Sequence, residues 1–278
     1  MEILHMETTT SDLSTTYAIT PAQAAQYRKD GHILLRDVAS AEEIDRLRPI
    51  ITDLVDEIGG TRDMRVRLEG SSTLFIQVTN VWRRSEAIRE FIFAKRFARI
   101  AAELMGVKGV RLYHDRVLIK DPGGVATPWH KDHYCWPLAT HNTIKMWLAL
   151  SDISQEMGAM VFATGSHHGG LFPEVPFTLN NQEIFGRVIK DHKIPTKSYD
   201  LRAGDATFHS GDLLHSAREN SSTRRREVLA ITYYADGTRI MEPNHEHRKI
   251  DLREFLPGLM PGDMAASELN PLLYESTP

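Results

Sequence analysis

Five short segments decide the fold of this chain: RLYHDRVLIK (residues 111–120), TIKMWLALSDI (143–153), AMVFAT (159–164), DATFHS (205–210) and EVLAITYYA (227–235). Each segment is rich in β-branched and aromatic residues, and Gly, Pro, Asn and Asp separate one segment from the next. Strands that follow one another without helices between them favour an antiparallel sandwich or barrel. We therefore predict a β core over residues 110–240.

Helices are predicted ahead of this core. Thr20-Pro21-Ala22-Gln23 combines an N-cap threonine, a proline at the first helical position and a glutamine that completes a capping box. Ser40 and Glu43 repeat the capping pattern before a run of apolar residues at helical spacing. We expect, in order, a helix from Thr20 to Gly31, a strand over 32–38, a helix from Ser40 to Gly59 and a helix from Ser85 to Gly106. The predicted fold class is mainly β with flanking helices (α+β).

The length and composition are those of one globular domain. With 278 residues and 41% hydrophobic content, the chain is able to bury a single substantial core. Residues 1–18 are mostly polar and are expected to form a flexible arm, which leaves residues 19–278 as the domain. Residues 241–278 are rich in Pro, His and charge, so we expect an irregular cover with one helical turn near Asp251 to Phe255.

The charge balance argues against several kinds of partner. Lys and Arg total 33 and Asp and Glu total 37, and no long basic run is present, so neither nucleic acid nor a membrane surface is expected. No stretch reaches the ~18 apolar residues of a membrane span. The single cysteine, Cys135, excludes an internal disulfide, and we expect a cytoplasmic protein. The sequence does not indicate an oligomeric state.

A metal site is indicated by Pro128-Trp129-His130-Lys131-Asp132. In an extended strand, residues two apart project from the same face, so one metal ion could take both His130 and Asp132. Two imidazoles and one carboxylate form the facial triad of non-haem Fe(II) oxygenases, which leaves coordination positions open. The spacing alone is not specific, because a histidine or aspartate at a strand end is more often a hydrogen-bonded loop residue.

The second histidine must come from GDATFHSGDLLH (204–215), which offers His209 and His215. The segment Asn220-Ser221-Ser222-Thr223 is typical of a turn, and a hairpin centred there would place His215 opposite Arg226. Residues directly opposite share a face, so a metal-binding imidazole would lie beside a guanidinium suited to gripping a carboxylate. His209 gains no such neighbour and is interpreted as a polar strand residue.

Several motifs, in order, resemble those of one family. The segments TPAQAAQYRKDGHILLRDVASAEEIDRLR, LIKDPGGVATPWHKDHYCWP, MWLALSDISQEMGAMVFATGSH, GDATFHSGDLLH and NSSTRRREVLAITYY are similar to the phytanoyl-CoA dioxygenase family of Fe(II)- and 2-oxoglutarate-dependent oxygenases. The resemblance covers most of the chain and implies a double-stranded β-helix (jelly-roll, cupin-like) core. It also implies His130, Asp132 and His215 as Fe(II) ligands, and Arg226 as the anchor for the distal carboxylate of 2-oxoglutarate.

The resemblance implies further contacts with the co-substrate. Trp147 stands where the family has a tryptophan beside 2-oxoglutarate, Arg116 falls on a strand position that contacts it, and Gln77 matches an upstream polar contact. Without that role they would be a core tryptophan, a surface arginine and a strand-edge glutamine. One departure is Ala217, because many members have a serine two residues after the distal histidine as a second carboxylate donor. That donor is missing here or replaced.

The reaction is likewise implied by the resemblance. The family uses 2-oxoglutarate and O2 as co-substrates and couples decarboxylation to succinate with oxidation of a substrate C–H bond. Asp132 disfavours halogenation, because related halogenases have a small residue in place of this carboxylate. Hydroxylation is expected, although cyclisation, desaturation or epimerisation would need no different ligands. We expect a small molecule of specialised-metabolite biosynthesis, in a pocket lined in part by His133-Tyr134-Cys135-Trp136, His114 and Asp115.

Two other functions fit the same residues. The two histidines and the aspartate could hold Zn2+ with an open position and activate water in a hydrolase. Alternatively, the chain could be a non-catalytic β-sandwich binding module, with these histidines in the core or in loops. Arg226 discriminates, since a hydrolase has no need of a carboxylate clamp. Outside the triad, His245 and His247 are interpreted as surface residues, and Gly165-Ser166-His167-His168 as a turn.

Overall fold

The computed structural model describes residues 13, 15–59, 65–66, 75–169, 172, 175–176, 178 and 180–276. The helices are α1 (Pro21–Asp30), α2 (Ala41–Gly59), α3 (Glu86–Ile92), α4 (Lys95–Met105), α5 (Asn181–Asp191) and α6 (Glu246–Phe255). The strands are β1 (His32–Leu35), β2 (Arg65–Val66), β3 (Phe75–Thr79), β4 (Gly109–Lys120), β5 (Thr127–His130), β6 (Thr143–Ala149), β7 (Met160–Ala163), β8 (Thr196–Ser198), β9 (Ala206–Ser210), β10 (His215–Ala217), β11 (Arg226–Ala235) and β12 (Leu272–Glu275).

Two antiparallel sheets form the core of the described part of the chain. The larger sheet has the strand order β1-β9-β6-β11-β4-β3-β2, with β12 paired to β4, and the smaller sheet has the order β5-β10-β7-β8. Trp147 and Val228 of the larger sheet share one apolar cluster with Phe162 of the smaller sheet, so the two inner faces pack on each other. This arrangement confirms the predicted jelly-roll core with flanking helices.

Helices α1 to α4 cover the outer face of the larger sheet. Along β11, Leu229 and Ile231 belong to a second apolar cluster that also contains Ile44 of α2 and Phe97 of α4. Side chains alternate between the faces of a strand, so β11 is buried on both sides, as an inner strand between two layers must be. None of the described helices has the length and apolar character to cross a membrane.

The predicted helix starts are confirmed, and some boundaries differ. Thr20 and Gln23 form the capping box, and the Ser40 Oγ accepts from the Glu43 backbone N–H while Glu43 accepts from the Ser40 N–H. The predicted strand over 32–38 ends already at Leu35, and Asp37 has a φ of 52° that a strand does not allow.

The single helix predicted from Ser85 to Gly106 is wrong, because α3 and α4 are separate. The chain leaves helical geometry at Ala94, whose ψ of 122° is extended, and the Ala94 N–H bonds back to Phe91 O in a tighter turn. Both helices still bury apolar residues in the same cluster, including Phe91 and Phe97. Apolar spacing alone therefore did not reveal the break.

Both ends of the chain are more ordered than expected where they are described. The Tyr17 hydroxyl donates to Arg36 O and Arg96 Nε donates to Thr15 O, so residues 15–18 are anchored and are not a loose arm. Residues 1–12 and 14 of the predicted arm lie outside the described residues. At the other end, the predicted single turn is the full helix α6, and β12 adds a strand to β4.

The predicted hairpin between His215 and Arg226 is also wrong. His215 pairs with His130 and Phe162 in the smaller sheet, whereas Arg226 pairs with Lys120 in the larger sheet. The residues between them cross from one sheet to the other, and the buried Asn220 amide holds this crossing by donating to Lys120 O and Arg224 O. The residues around Asn220 favour a turn, as predicted, but they connect strands of opposite sheets.

Candidate active site

A cavity of about 700 Å³ opens between the two sheets. The seven residues predicted to bind the metal or the co-substrate all line it: Gln77, Arg116, His130, Asp132, Trp147, His215 and Arg226. They come from both sheets and from segments far apart along the chain. The cavity is therefore the candidate active site.

His130, Asp132 and His215 form a cluster suited to one metal ion. One ligand atom of each lies within 4.8 Å of the others. The two histidines face each other across the β5–β10 pair, with ring centroids 4.2 Å apart. Asp132 completes the cluster, since its Oδ1 is 3.8 Å from His130 Nε2 and its Oδ2 is 3.7 Å from His215 Nε2.

Both imidazoles are held in the tautomer that metal binding requires. His130 Nδ1 lies 2.8 Å from Pro128 O, and His215 Nδ1 lies 2.9 Å from Leu213 O. A carbonyl oxygen only accepts, so each Nδ1 carries the proton and each Nε2 keeps a lone pair for a metal ion. Burial lowers the pKa of both rings, most strongly for His215, and this favours the neutral form that binds metals.

Asp132 reaches the cluster from a turn instead of the predicted strand. Strand β5 ends at His130, Lys131 is extended, and Asp132 begins the 3-10 turn Asp132–Tyr134. The Lys145 ammonium lies 2.5 Å from Asp132 Oδ2. Burial alone would raise the pKa of the Asp132 carboxyl, but Lys145 and the neighbouring His215 hold it well below its usual range. The carboxylate is therefore ionised and ready to bind a cation.

The structure corrects the interpretation of His209. This residue is fully buried, its Nε2 is 3.6 Å from Asp132 Oδ2, and its ring centroid is 4.6 Å from that of His215. Neither ring nitrogen has a hydrogen-bond partner among the described residues. His209 thus borders the metal cluster from the larger sheet, where β9 and β6 place it opposite Lys145.

Arg226 is a fully buried guanidinium without an acidic partner in the described part of the chain. It is 1% exposed, its Nη1 donates to Gly158 O at 2.6 Å, and its Nε has no hydrogen-bond partner among the described residues. Trp147 and Phe75 flank it, with ring centroids 5.3 Å and 5.7 Å from the guanidinium carbon. Burial lowers the pKa of Arg226 to about 9, so the side chain is still charged near neutral pH.

Lys120 of β4 lies directly across from Arg226 of β11. Arg226 is the main cation at this end of the cavity. The Lys120 Nζ donates to Arg218 O at 2.8 Å. Burial, and then repulsion from Arg226, lowers the pKa of Lys120 to about 6. Lys120 therefore loses its charge more readily than Arg226, which is the stronger cation of this pair among the described residues.

The three remaining predicted residues line neighbouring positions on the same sheet. Ala230 pairs with Arg116 on one side and Trp147 on the other, so the two flank a small residue that leaves space in the cavity. Arg116 Nε is buried and has no hydrogen-bond partner in the part of the chain that the structure describes, and Gln77 is half-buried on β3 opposite Leu118. Their contacts with a co-substrate stay predictions.

A family model described as phytanoyl-CoA dioxygenase (PhyH) matches residues 27–228, which is most of the chain and includes the metal cluster and Arg226. The chain belongs to this family. The donor set fits its iron, since two neutral imidazoles and an ionised carboxylate suit Fe(II), and the unpaired guanidinium suits its 2-oxoglutarate. This PhyH member is an Fe(II)- and 2-oxoglutarate-dependent dioxygenase.

Solved structures and a curated relative agree with this assignment. The epimerase SnoN, in complex with Fe3+, alpha ketoglutarate and nogalamycin RO, is 26% identical with a TM-score of 0.72, covering 90% of this chain and 96% of that one. The carbocyclase SnoK from nogalamycin biosynthesis has a TM-score of 0.77 at 24% identity, covering 91% and 96%, and supports the fold. A probable alpha-ketoglutarate-dependent hypophosphite dioxygenase of Stutzerimonas stutzeri is 25% identical over 223 residues, which is 77% of this chain and 78% of the relative.

The turn after Asp132 and helix α6 line a further part of the dioxygenase's cavity. The predicted lining by His133-Tyr134-Cys135-Trp136 is confirmed. Asp115 and His114 are not part of the lining, because Asp115 is buried and accepts from the Val81 N–H, while His114 packs on Phe255. These two residues stabilise the wall from behind.

Helix α6 supplies lining residues that the sequence did not predict. His247, Asp251, Glu254 and Phe255 all face the cavity. The interpretation of His247 as a surface residue is therefore wrong, and His245 is also half-buried, since it caps α6 and stacks on Tyr134 at 4.2 Å. The histidine turn at 165–168 is confirmed, with His167 Nε2 3.0 Å from Arg28 O. No local pattern marks α6 as a cavity wall, because its position depends on long-range packing.

Proposed function

We propose that His130, Asp132 and His215 hold Fe(II), that Arg226 grips the distal carboxylate of 2-oxoglutarate, and that the enzyme oxidises a C–H bond of a small molecule. The observation that carries this proposal is the guanidinium of Arg226. It is fully buried, faces the cavity of the metal cluster and has no acidic partner among the described residues. A buried charge is costly unless it is paired, and the distal carboxylate of 2-oxoglutarate would supply such a partner for Arg226.

Each side chain has a defined task in this proposal. The Nε2 atoms of His130 and His215 and the Asp132 carboxylate bind one ion and leave coordination positions open. Arg226 binds and orients the co-substrate, while Trp147 and Phe75 exclude water from that end of the cavity. When bound, iron with 2-oxoglutarate and O2 supplies the oxidising chemistry, and the protein supplies position.

The substrate we propose is a small molecule of specialised-metabolite biosynthesis, with hydroxylation as the first expectation and cyclisation, desaturation or epimerisation as alternatives. A cavity of about 700 Å³ suits a ligand of drug-like size. Its lining mixes aromatic side chains such as Tyr134 and Trp136 with charged ones such as Asp251 and Glu254. Such a mixture suits a ring-containing molecule with polar substituents. The likeness to SnoN, whose structure contains nogalamycin RO, supports this class.

The other two functions have less support. A zinc hydrolase would use the same three ligands but has no use for the unpaired guanidinium of Arg226. A non-catalytic β-sandwich does not require two imidazoles whose Nε2 atoms can accept, placed around an ionised carboxylate. The family match also favours oxidation over both.

The deciding experiment is co-substrate binding by Arg226→Gln, with the neighbouring Arg225→Gln as the matched control. Arg225 is half-buried at the start of the same strand segment and pairs with Asp121 outside the cavity. Under anaerobic conditions with Fe(II), we expect the charge-transfer band of bound 2-oxoglutarate to need a concentration higher by about 100-fold in Arg226→Gln, because a buried charged contact is worth roughly 2–5 kcal/mol. Arg225→Gln should bind as the wild type does.

Turnover gives the second readout. Succinate formation in air, stimulated by candidate ring-containing metabolites, should be lost in His130→Ala and strongly reduced in Arg226→Gln. Equal 2-oxoglutarate affinity in Arg226→Gln and wild type would remove Arg226 from the binding site. A wild-type protein that binds Zn2+ and hydrolyses ester substrates, but shows no charge-transfer band, would support the hydrolase.

A further inference from the structure

A second group of potential metal ligands lies beside the cavity, outside the triad. One ligand atom each of His133, His141 and Asp212 lies within 4.8 Å of the others. The three come from different segments: His133 from the 3-10 turn after β5, His141 from the loop before β6, and Asp212 from the turn between β9 and β10. Neither the sequence motifs nor the proposed function assigns a metal ion to this group.

The distances within the group match those between ligands of a single ion. His133 Nδ1 lies 3.4 Å from Asp212 Oδ1. Two ligands bound tetrahedrally at ~2.0–2.1 Å lie about 3.4 Å apart, which is longer than an ordinary hydrogen bond. His141 Nδ1 lies 2.9 Å from Asp212 Oδ2, and this pair would open by a few tenths of an ångström around an ion. Little rearrangement is needed.

The group combines a buried half with an accessible half. His133 is 6% exposed, and its Nε2 has no hydrogen-bond partner among the described residues. The side chain of Asp212 is 18% exposed, whereas that of His141 is 84% exposed. An ion can therefore reach the group from solvent, and two of its three ligands are held in place by the surrounding structure.

We propose that His133, His141 and Asp212 bind a divalent transition-metal ion of the Zn2+ class at a site separate from the triad. Imidazole nitrogen and carboxylate oxygen are ligands that Zn2+ takes readily, and three protein ligands leave a position for water. Binding replaces the proton shared between His141 and Asp212 with the ion, so no other reactant is needed.

An ion at this site would connect the loop before β6 with two segments that line the cavity. His133 and Asp212 both line the cavity, and Asp212 lies in the turn that separates His209 from His215. Fixing these segments to one another would rigidify one wall of the cavity. We therefore expect the ion to raise the thermal stability of the protein beyond the effect of an ion in the triad.

The test is a count of bound Zn2+. Untagged protein is stripped with a chelator, dialysed against Zn2+, and analysed for metal content and for Tm. We expect two equivalents in the wild type and one equivalent in His141→Ala, which also loses part of the Tm increase. His141 is solvent-exposed, so this substitution leaves the fold intact. The control is His192→Ala, an exposed histidine at the end of α5, which should keep both equivalents.

His130→Ala separates this inference from the proposed function, because it should lose only the equivalent at the triad. Two equivalents in His141→Ala would overturn the second site, as would a wild type that binds one equivalent and loses it in His130→Ala. If His130→Ala keeps two equivalents while His141→Ala loses one, the second site stands and the triad assignment is wrong. Asp212→Asn provides an independent variant, and we expect it to lose the same equivalent as His141→Ala.

Discussion

Arg226 and Lys145 are buried cations of the same cavity with different surroundings. Lys145 lies 2.5 Å from the Asp132 carboxylate, while Arg226 has no acidic neighbour among the described residues. Burying a charge without a partner costs several kcal/mol, and strongly perturbed groups of this kind concentrate at functional sites. Lys145 is therefore paired within the protein, whereas Arg226 lacks an acidic partner among the described residues, as its proposed role with 2-oxoglutarate requires.

Replacing Lys145 with methionine should destabilise the metal-free protein by about 3 kcal/mol, because it leaves the buried Asp132 carboxylate without its ammonium partner. A divalent ion in the triad would supply the missing positive charge. We expect saturating Mn2+ to restore most of the lost stability. The measurement is urea unfolding of wild type and Lys145→Met, with and without Mn2+.

Lys190→Met is the control for this comparison, since Lys190 is exposed on α5 and should tolerate the change under both conditions. An equal loss of stability in Lys145→Met with and without Mn2+ would show that Lys145 acts through packing and not through the charge of Asp132.

Strand β1 connects the two sheets through His32. The His32 ring stacks on Phe162 of β7 at 4.7 Å, its Nε2 is 2.9 Å from Thr164 Oγ1, and its Nδ1 is 3.1 Å from the Tyr199 hydroxyl. Because β1 belongs to the larger sheet and β7 to the smaller one, these contacts close one edge of the sandwich. Helix α1, which leads directly into β1, determines where this strand begins.

Lowering the pH should reduce the contribution of this edge to folding stability. Burial lowers the pKa of His32 to about 4, whereas an unfolded histidine titrates near ~6.5. Between these values the unfolded state binds the proton and the folded state does not, so stability is full above the unfolded pKa and is lost as pH falls towards 4. By linkage, about 2 kcal/mol of the stability lost between pH 7 and pH 5 comes from His32.

This contribution can be measured with His32→Gln, which keeps polar atoms but cannot take up a proton. Urea unfolding at pH 7 and pH 5 should show a smaller loss of stability in the variant than in the wild type. His192→Gln, at an exposed site, should lose as much stability as the wild type. An unchanged pH dependence in His32→Gln would mean that His32 does not titrate in this range.

Across the whole molecule, the active site lies between two sheets that contribute different parts. His130 and His215 belong to the smaller sheet, and Arg226 and Trp147 belong to the larger one. In the proposed function, the metal binds to one sheet and the far carboxylate of 2-oxoglutarate to the other. The co-substrate would therefore link the two layers of the fold through the metal.

This linkage predicts a stepwise increase in Tm. Mn2+ alone should stabilise the protein, and 2-oxoglutarate should add a further increase only when Mn2+ is present. A ligand at about 100 times its Kd contributes roughly 2.7 kcal/mol, which corresponds to a shift of several degrees in a domain of this size. In Arg226→Gln, we expect the increase from Mn2+ to persist and the increase from 2-oxoglutarate to be mostly lost.

The measurement is thermal unfolding of both proteins with each ligand alone and with both together. Succinate, which has two carboxylates but lacks the 2-oxo group, is the control ligand and should stabilise less than 2-oxoglutarate. If 2-oxoglutarate stabilised the protein equally without Mn2+, the co-substrate would not bind through the metal.

Much of the fold could be predicted because its signals are local. The capping boxes at Thr20 and Ser40, the β-rich segments and the His130-Lys131-Asp132 motif each depend on residues close together in the sequence. The prediction failed where the outcome depended on distant partners. The turn residues around Asn220 suggested a hairpin, but they do not specify whether the next strand joins the same sheet or the opposite one.

The sequence by itself determined the helix starts at Thr20, Ser40 and Ser85, the β-rich core segments and the family resemblance, and it predicted His130, Asp132, His215 and Arg226 as site residues. Only the tertiary structure decided that His215 and Arg226 lie on opposite sheets, that Lys145 pairs with Asp132, and that His209 borders the metal cluster. The physical reason is that propensities and caps act over a few residues. Burial and the pairing of charges arise only when two sheets pack and bring distant side chains into one cavity.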